Sequence, residues 1–137
     1  MGAWGYASFD NDYACDWAAD LPTSNDLSFT EAKLDQLIAM VGRFVDGGLG
    51  SEGLAACEVI ARLKGNWGIR NVYSKDVDSW VKSHPFTPSP EMVSKALAVI
   101  DRILSEPSEL LSQSMENEAS LRLWLTEVND LRRRVES

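Results

Sequence analysis

Apolar residues recur at i, i+3 and i+4 along most of this chain, and that period leaves few folds open. It is uninterrupted near the C-terminus, where Leu121, Trp124, Leu125, Val128, Leu131 and Val135 define one face of a helix over about 118–136, capped by Asn117. Val93, Ala96, Leu97, Ile100, Ile103 and Leu104 form a second stripe behind Ser89-Pro90, an N-cap followed by proline at the first helical position. A third stripe, Leu34, Leu37, Ile38, Val41, Phe44 and Val45, predicts a helix over 29–46 that opens on the capping-box spacing of Ser28 and Glu31. Gly47-Gly48 is expected to end it, and the glycine-rich run to Gly53 to be a flexible turn. Residues 52–64 are apolar or small nearly all round and are expected to form the enclosed central helix. Shorter helices are predicted over 75–83 and from Pro107, and residues 66–73 read as a loop. The chain is therefore expected to be all-α: an irregular single-domain bundle of about six or seven helices, a reasonable content for 137 residues.

The first twenty-two residues differ from the rest. They hold Trp4, Tyr6, Phe9, Tyr13 and Trp17 together with Asp10, Asp12, Asp16 and Asp20, and no Lys or Arg. Asp10-Asn11-Asp12 offers N-caps for a helix ending at Pro22, with Tyr13, Trp17 and Leu21 on one face and Asp12, Asp16 and Asp20 on a neighbouring stripe. Ahead of it, Gly2 and Gly5 flank an extended piece. A loose terminus would expose several large rings, so residues 1–9 are expected to be ordered, with Trp4 and Phe9 docked in the core.

Met1-Gly-Ala-Trp-Gly, Phe9-Asp10-Asn11-Asp12 and Asp16-Trp17 with Leu21 before the turn resemble the opening of the bacterial domain of unknown function 4259 family. Glu58-Val59-Ile60-Ala61, Trp124-Leu125 and Asp130-Leu131-Arg132 extend the resemblance along the chain. It implies a small bacterial protein of mainly helical structure. No activity, cofactor or catalytic residue follows from it.

Charge placement narrows the functional classes. The net charge is −8, and five aspartates precede residue 27 without a cation. Such an end does not fit a phosphate backbone, so no nucleic-acid partner is expected. There is neither a long apolar run nor a secretory leader, which points to a cytoplasmic protein with no membrane partner. Cys15 and Cys57 are expected to be reduced, buried thiols. Asp10 and Asp12 begin a stretch that superficially resembles a calcium loop, but Cys15 and Leu21 stand where its glycine and glutamate belong, so no metal is expected. His84 is the sole histidine and, beside Pro85, is expected to interact with the end of its helix. No cofactor motif is present: the glycine run lacks the lysine of a phosphate loop.

Trp17, Trp80 and Trp124 lie at core positions, whereas Trp4 and Trp67 sit outside helices beside glycines. The expected function is a non-enzymatic acidic interaction module that binds another protein, with Asp10, Asp12, Asp16, Asp20 and Trp67 as candidate contact residues. A specific form is an immunity or antitoxin-like inhibitor of a basic toxin. The alternatives are a small enzyme using His84, Asp76 or Asp78, and a homo-oligomer using helix 52–64 or part of the last helix.

Overall fold

The computed structural model describes residues 3–137. Among them the chain forms α1 (Asp12–Asp20), α2 (Ser28–Ile38), α3 (Gly47–Leu63), α4 (Lys75–Ser83), α5 (Pro90–Ile103), α6 (Glu109–Ser114) and α7 (Glu118–Glu136), with a 3-10 turn at Leu21–Thr23. The all-α bundle predicted by the apolar stripes is thus observed. Helix α3 runs through its middle, contacting α1, α2, α4, α5, α6 and α7. Every residue from Gly53 to Arg62 is buried. A helix enclosed in this way cannot supply an oligomer face, which removes that form of the homo-oligomer alternative.

Two element boundaries differ from the sequence reading. Helix α2 stops at Ile38, because Gly42 takes φ +74° and turns the chain away. Val41 and Phe44 consequently face solvent; of that predicted extension Val45 is fully buried and Met40 packs against the edge of the core. Val45 does so by pairing with the segment before α6, donating to the Pro107 carbonyl (3.1 Å) while its own carbonyl accepts from Glu109 N–H (2.9 Å). The buried Arg102 guanidinium holds this corner by donating to the carbonyls of Met40, Arg43, Ser105 and Pro107. At the start of α2, Asp26 accepts from Ser28 N–H (2.9 Å), in place of the expected Ser28 capping box.

The glycine-rich run is not a turn. Asp46 caps α3 by accepting from Leu49 N–H at 2.8 Å, and Gly47 is already helical. These glycines mark where neighbours press on α3: a Cβ at Gly53 would stand 2.9 Å from Leu37 Cγ, and one at Gly48 2.9 Å from the Tyr13 ring. Low helix propensity is offset here by close packing.

The remaining termini follow their sequence signals. Asn11, Ser89 and Asn117 each cap a helix through the side chain. Lys64 and Asn66 donate to the carbonyls of Val135 and Arg134, satisfying the end of α7.

The N-terminal segment docks only in part as expected. Residues 1 and 2 lie outside the described residues. Ala3 pairs antiparallel with Asn11, and Phe9 is 5% exposed beneath the Arg62 guanidinium, 5.5 Å from the ring centre. Trp4, by contrast, is 48% exposed and is not a core plug. Its amide is committed to the Asp10 carbonyl (2.8 Å), a bond that lays the segment across the surface and keeps the indole outside. We predict that Phe9→Ala lowers the unfolding free energy by about 3–5 kcal/mol and Trp4→Ala by under about 1 kcal/mol. Chemical denaturation of both variants checks this; equal midpoints would show that the two rings are buried alike.

Candidate interaction face and the ionic cluster beneath it

Helix α1 turns Ala14, Trp17 and Ala18 into the core and leaves Asp12, Asp16 and Asp20 exposed. None of the three carboxylates has a hydrogen-bond or ion-pair partner among the described residues. Asp12 lies in the first turn, where a negative charge offsets the helix macrodipole. Asp16 and Asp20 lie beyond that turn, and like charges at i, i+4 destabilise a helix by about 0.2–0.5 kcal/mol per pair.

Aromatic features flank this stripe on both sides. Towards α2 there is a groove of about 360 Å³ lined by Asp16, Asp20, Lys33, Gln36 and Glu52, with Trp17 and Phe29 stacked at its base, 5.1 Å apart. Lys33 is already bound to Glu52 and Gln36, each at 2.8 Å, and leaves the α1 carboxylates unpaired. Towards α4, Cys15 Sγ approaches the Tyr73 carbonyl (3.9 Å), and the Tyr73 ring packs on Trp4 with centroids 4.9 Å apart. Partial burial, followed by the charges of Asp12, Asp16, Asp10 and Asp76, raises the Cys15 thiol pKa and keeps it protonated and unreactive.

Beneath this face lies a buried ionic cluster that sequence reasoning missed. Glu58 and Arg62, 4% and 2% exposed, stand one turn apart on α3 and pair with each other. Arg62 Nε donates to Asp78 of α4 (2.7 Å), and its Nη2 donates to the Ile69 carbonyl (2.7 Å). From α7, Arg134 grips both Glu58 oxygens at 2.9 Å and donates to Asp130 at 2.8 Å. Ser8 Oγ donates to Glu58 (2.7 Å), and Ser74 Oγ donates to Asp78 (2.7 Å). Burial alone would raise the Glu58 pKa, but the Arg134 hydrogen bonds, the charges of Arg62 and Arg134 and the Ser8 hydroxyl outweigh it and hold the carboxyl below its ordinary value. The space among these groups is a cavity of about 30 Å³, room for about one or two waters and nothing larger. With its oxygens occupied and its pKa lowered, Glu58 is built to hold charges together and is a poor proton acceptor.

The candidate contact residues divide between the two levels. Asp12, Asp16 and Asp20 share the outer face. Asp10 is half-buried, accepts from Ala7 N–H (3.2 Å) and lines the cleft above Glu58. Trp67 is also half-buried and lies between two guanidinium groups, Arg70 at 4.5 Å and Arg62 at 6.0 Å from the ring centre. One sign of the cluster was present in the sequence: Glu58 and Arg62, spaced i, i+4, are charged residues in a helix apolar nearly all round. Their partners on α4 and α7 are set by tertiary packing.

The residues named for the enzyme alternative do not converge. His84 stacks on Trp80 (4.5 Å) with Nδ1 2.9 Å from the Trp80 carbonyl, an interaction with its own helix end as expected. It shares a shallow surface depression with Asp76, while Asp78 faces inward to Arg62. Among the described residues no group of three His, Cys, Asp or Glu side chains is placed to hold a metal ion. No helix there is long and apolar enough to cross a membrane.

Removing the Glu58 charge takes from two guanidinium groups the carboxylate they share, leaving Arg62 with Asp78 and Arg134 with Asp130. We predict that Glu58→Gln costs about 3–5 kcal/mol at pH 7. Because the folded-state pKa of Glu58 lies below the unfolded one, its contribution is fully present above the ordinary glutamate pKa of about 4.3 and is lost as pH falls through the folded value. The stability gap between parent and Glu58→Gln should therefore be constant from about pH 7 to 5 and shrink below about pH 4. Denaturant titrations across this range check it; a gap that widens on acidification would contradict the assignment.

No curated protein and no solved structure matches the chain. One family model does, that of the domain of unknown function DUF4259, over residues 2–127. The match takes in the N-terminal segment, all of α1 and the Glu58, Arg62 and Asp78 members of the ionic cluster. With most of its length covered, the chain belongs to the DUF4259 family.

Proposed function

We propose that this protein is a non-enzymatic module that binds another, basic protein through the exposed carboxylate face of α1. The observation that carries the reading is the unpaired state of Asp12, Asp16 and Asp20. Three like charges on one helix stripe repel one another, and among the described residues no cation pairs with them; only Asp12 gains from the helix macrodipole. A surface that retains such a cost is explained by what it meets in a complex, where carboxylates steer a cationic partner and fix its register.

The distribution of positive charge supports the same reading. Arg62, Arg102 and Arg134 are committed to interior carboxylates and carbonyls, while Lys33, Lys95 and Arg132 are paired with surface carboxylates. None of these pairs includes an aspartate of α1. We place the module in the bacterial cytoplasm, a reading supported by its two free thiols, Cys15 and Cys57. An immunity or antitoxin-like role, in which the α1 carboxylates cover the basic surface of a toxin, is the specific form that best fits this charge arrangement.

The test is capture of partners from cells of the source organism with the parent protein and with a variant carrying Asp12→Asn, Asp16→Asn and Asp20→Asn. A partner recovered by the parent, released by moderate salt and lost with the variant is the expected result; equal recovery by both removes this face from the interaction. Stability gives a second readout with the opposite sign. Asp16→Asn removes two i, i+4 repulsions and should raise the unfolding free energy by about 0.4–1 kcal/mol while weakening partner binding. A destabilised Asp16→Asn protein would mean that the carboxylate serves the fold.

A further inference from the structure

We propose that the exposed Trp4–Tyr73 pair is the anchor of this face, and that it takes an arginine side chain of the partner, whose guanidinium lies on the two rings within reach of the neighbouring carboxylates. This rests on the reading of α1 as the contact face and names the partner chemistry at its edge.

Three observations carry it. The first is exposure: Trp4 and Tyr73 are 48% and 44% exposed, and the adjoining Val72 is 71% exposed, so a large amphipathic surface stands uncovered. The two rings pack on each other with centroids 4.9 Å apart and planes tilted by 48°, and each keeps nearly half of its surface exposed.

The second is how firmly the pair is held. Trp4 N–H donates to the Asp10 carbonyl at 2.8 Å. Tyr73 N–H donates to Asn71 Oδ1 at 2.9 Å, in a turn closed by Ser74, whose hydroxyl is bound to Asp78 of the ionic cluster. With the main chain held at both positions and each ring packed on the other, little freedom is lost on binding, the property that makes an aromatic residue an effective anchor.

The third is the charge around the pair. Asp10, Asp12, Asp16 and Asp76 all act on Cys15, whose thiol lies against the Tyr73 carbonyl. The cations of the same stretch are Arg70, already stacked on Trp67, and Lys75, so carboxylates outnumber cations in the two segments, residues 3–20 and 70–78, that carry the pair. A planar guanidinium suits this setting better than an ammonium, because it stacks on a ring while donating in its own plane to a carboxylate. The chain uses the same chemistry internally, where Arg62 lies over Phe9 and pairs with Glu58 and Asp78.

The probe is an acetylated, amidated Gly-Arg-Gly-Arg-Gly peptide, compared with versions carrying lysine or citrulline in place of arginine. Binding to the ¹⁵N-labelled full chain is followed by backbone amide shifts at low salt. The arginine peptide should saturate the shifts around α1 and residues 71–76, the lysine peptide should bind several-fold more weakly, and the citrulline peptide should not bind. Trp4→Ala and Tyr73→Ala should each weaken the arginine peptide at least about tenfold. Unchanged affinity in both variants, or equal binding of the citrulline peptide, overturns the anchor. If Asp12→Asn with Asp16→Asn weakens binding while the two aromatic variants do not, the α1 reading stands and the anchor falls. If only the aromatic variants weaken it, the anchor stands and the α1 carboxylates lose their role.

Discussion

A carboxylate and a guanidinium at the centre of an apolar helix are costly to desolvate, and the fold is arranged around meeting that cost. Glu58 and Arg62 cannot satisfy each other completely: the pair leaves carboxylate lone pairs and guanidinium protons that need partners in the interior. Those partners come from four separate places, Ser8 in the N-terminal segment, the Ile69 carbonyl in the loop after α3, Asp78 on α4 and Arg134 on α7. Apolar stripes can bring helices together in many registers. The fixed geometry of these hydrogen bonds selects one, because a shift of α4 or α7 along α3 would strand a buried charge.

That arrangement also shapes the surface. Asp78 holds Ser74, Ser74 closes the Asn71 turn, and the turn sets Tyr73 under Trp4. Ser8, bound to Glu58, brings in Phe9 and so fixes the start of α1. The exposed face is therefore built on the most rigidly satisfied part of the interior, although its own carboxylates are unpaired. The buried charges Glu58, Arg62 and Arg102 all have several hydrogen-bond partners, whereas the α1 carboxylates have none among the described residues, and this contrast is the physical basis for the proposal that the face is functional.

Much of the helical framework was legible in the sequence, because it is written in local terms: the α7 stripe, Asn117 and Ser89 as caps, and the apolar circumference of α3. Most of the errors fall where tertiary contacts outweigh local preference, and one falls at a local signal, Gly42. Gly47 and Gly48 read as a turn, yet they are helical: Asp46 caps the helix, Glu109 accepts from Gly47 N–H, and the Tyr13 ring packs on Gly48 so closely that a side chain there would hold it off. Val41 and Phe44 continued a helical stripe that Gly42 interrupts. Trp4 read as a core ring on its size alone, and its position outside depends on an amide bond to Asp10 that no pattern announces. The stripe of Asp12, Asp16 and Asp20 was readable, since a helix wheel needs only spacing; its aromatic flank at Tyr73 was not, being joined across about seventy residues by the ionic cluster.

The central claim is that the joint between α3 and α7 is ionic as well as apolar, and a double-mutant cycle on Glu58 and Arg134 tests it most directly. Unfolding free energies of Glu58→Gln, Arg134→Gln and the double variant give the coupling between the two groups. The account predicts a coupling of about 2–3 kcal/mol, the double variant being far less damaged than the sum of the single ones. Additivity within about 0.5 kcal/mol would show that α7 is held by its apolar stripe alone and would contradict the account.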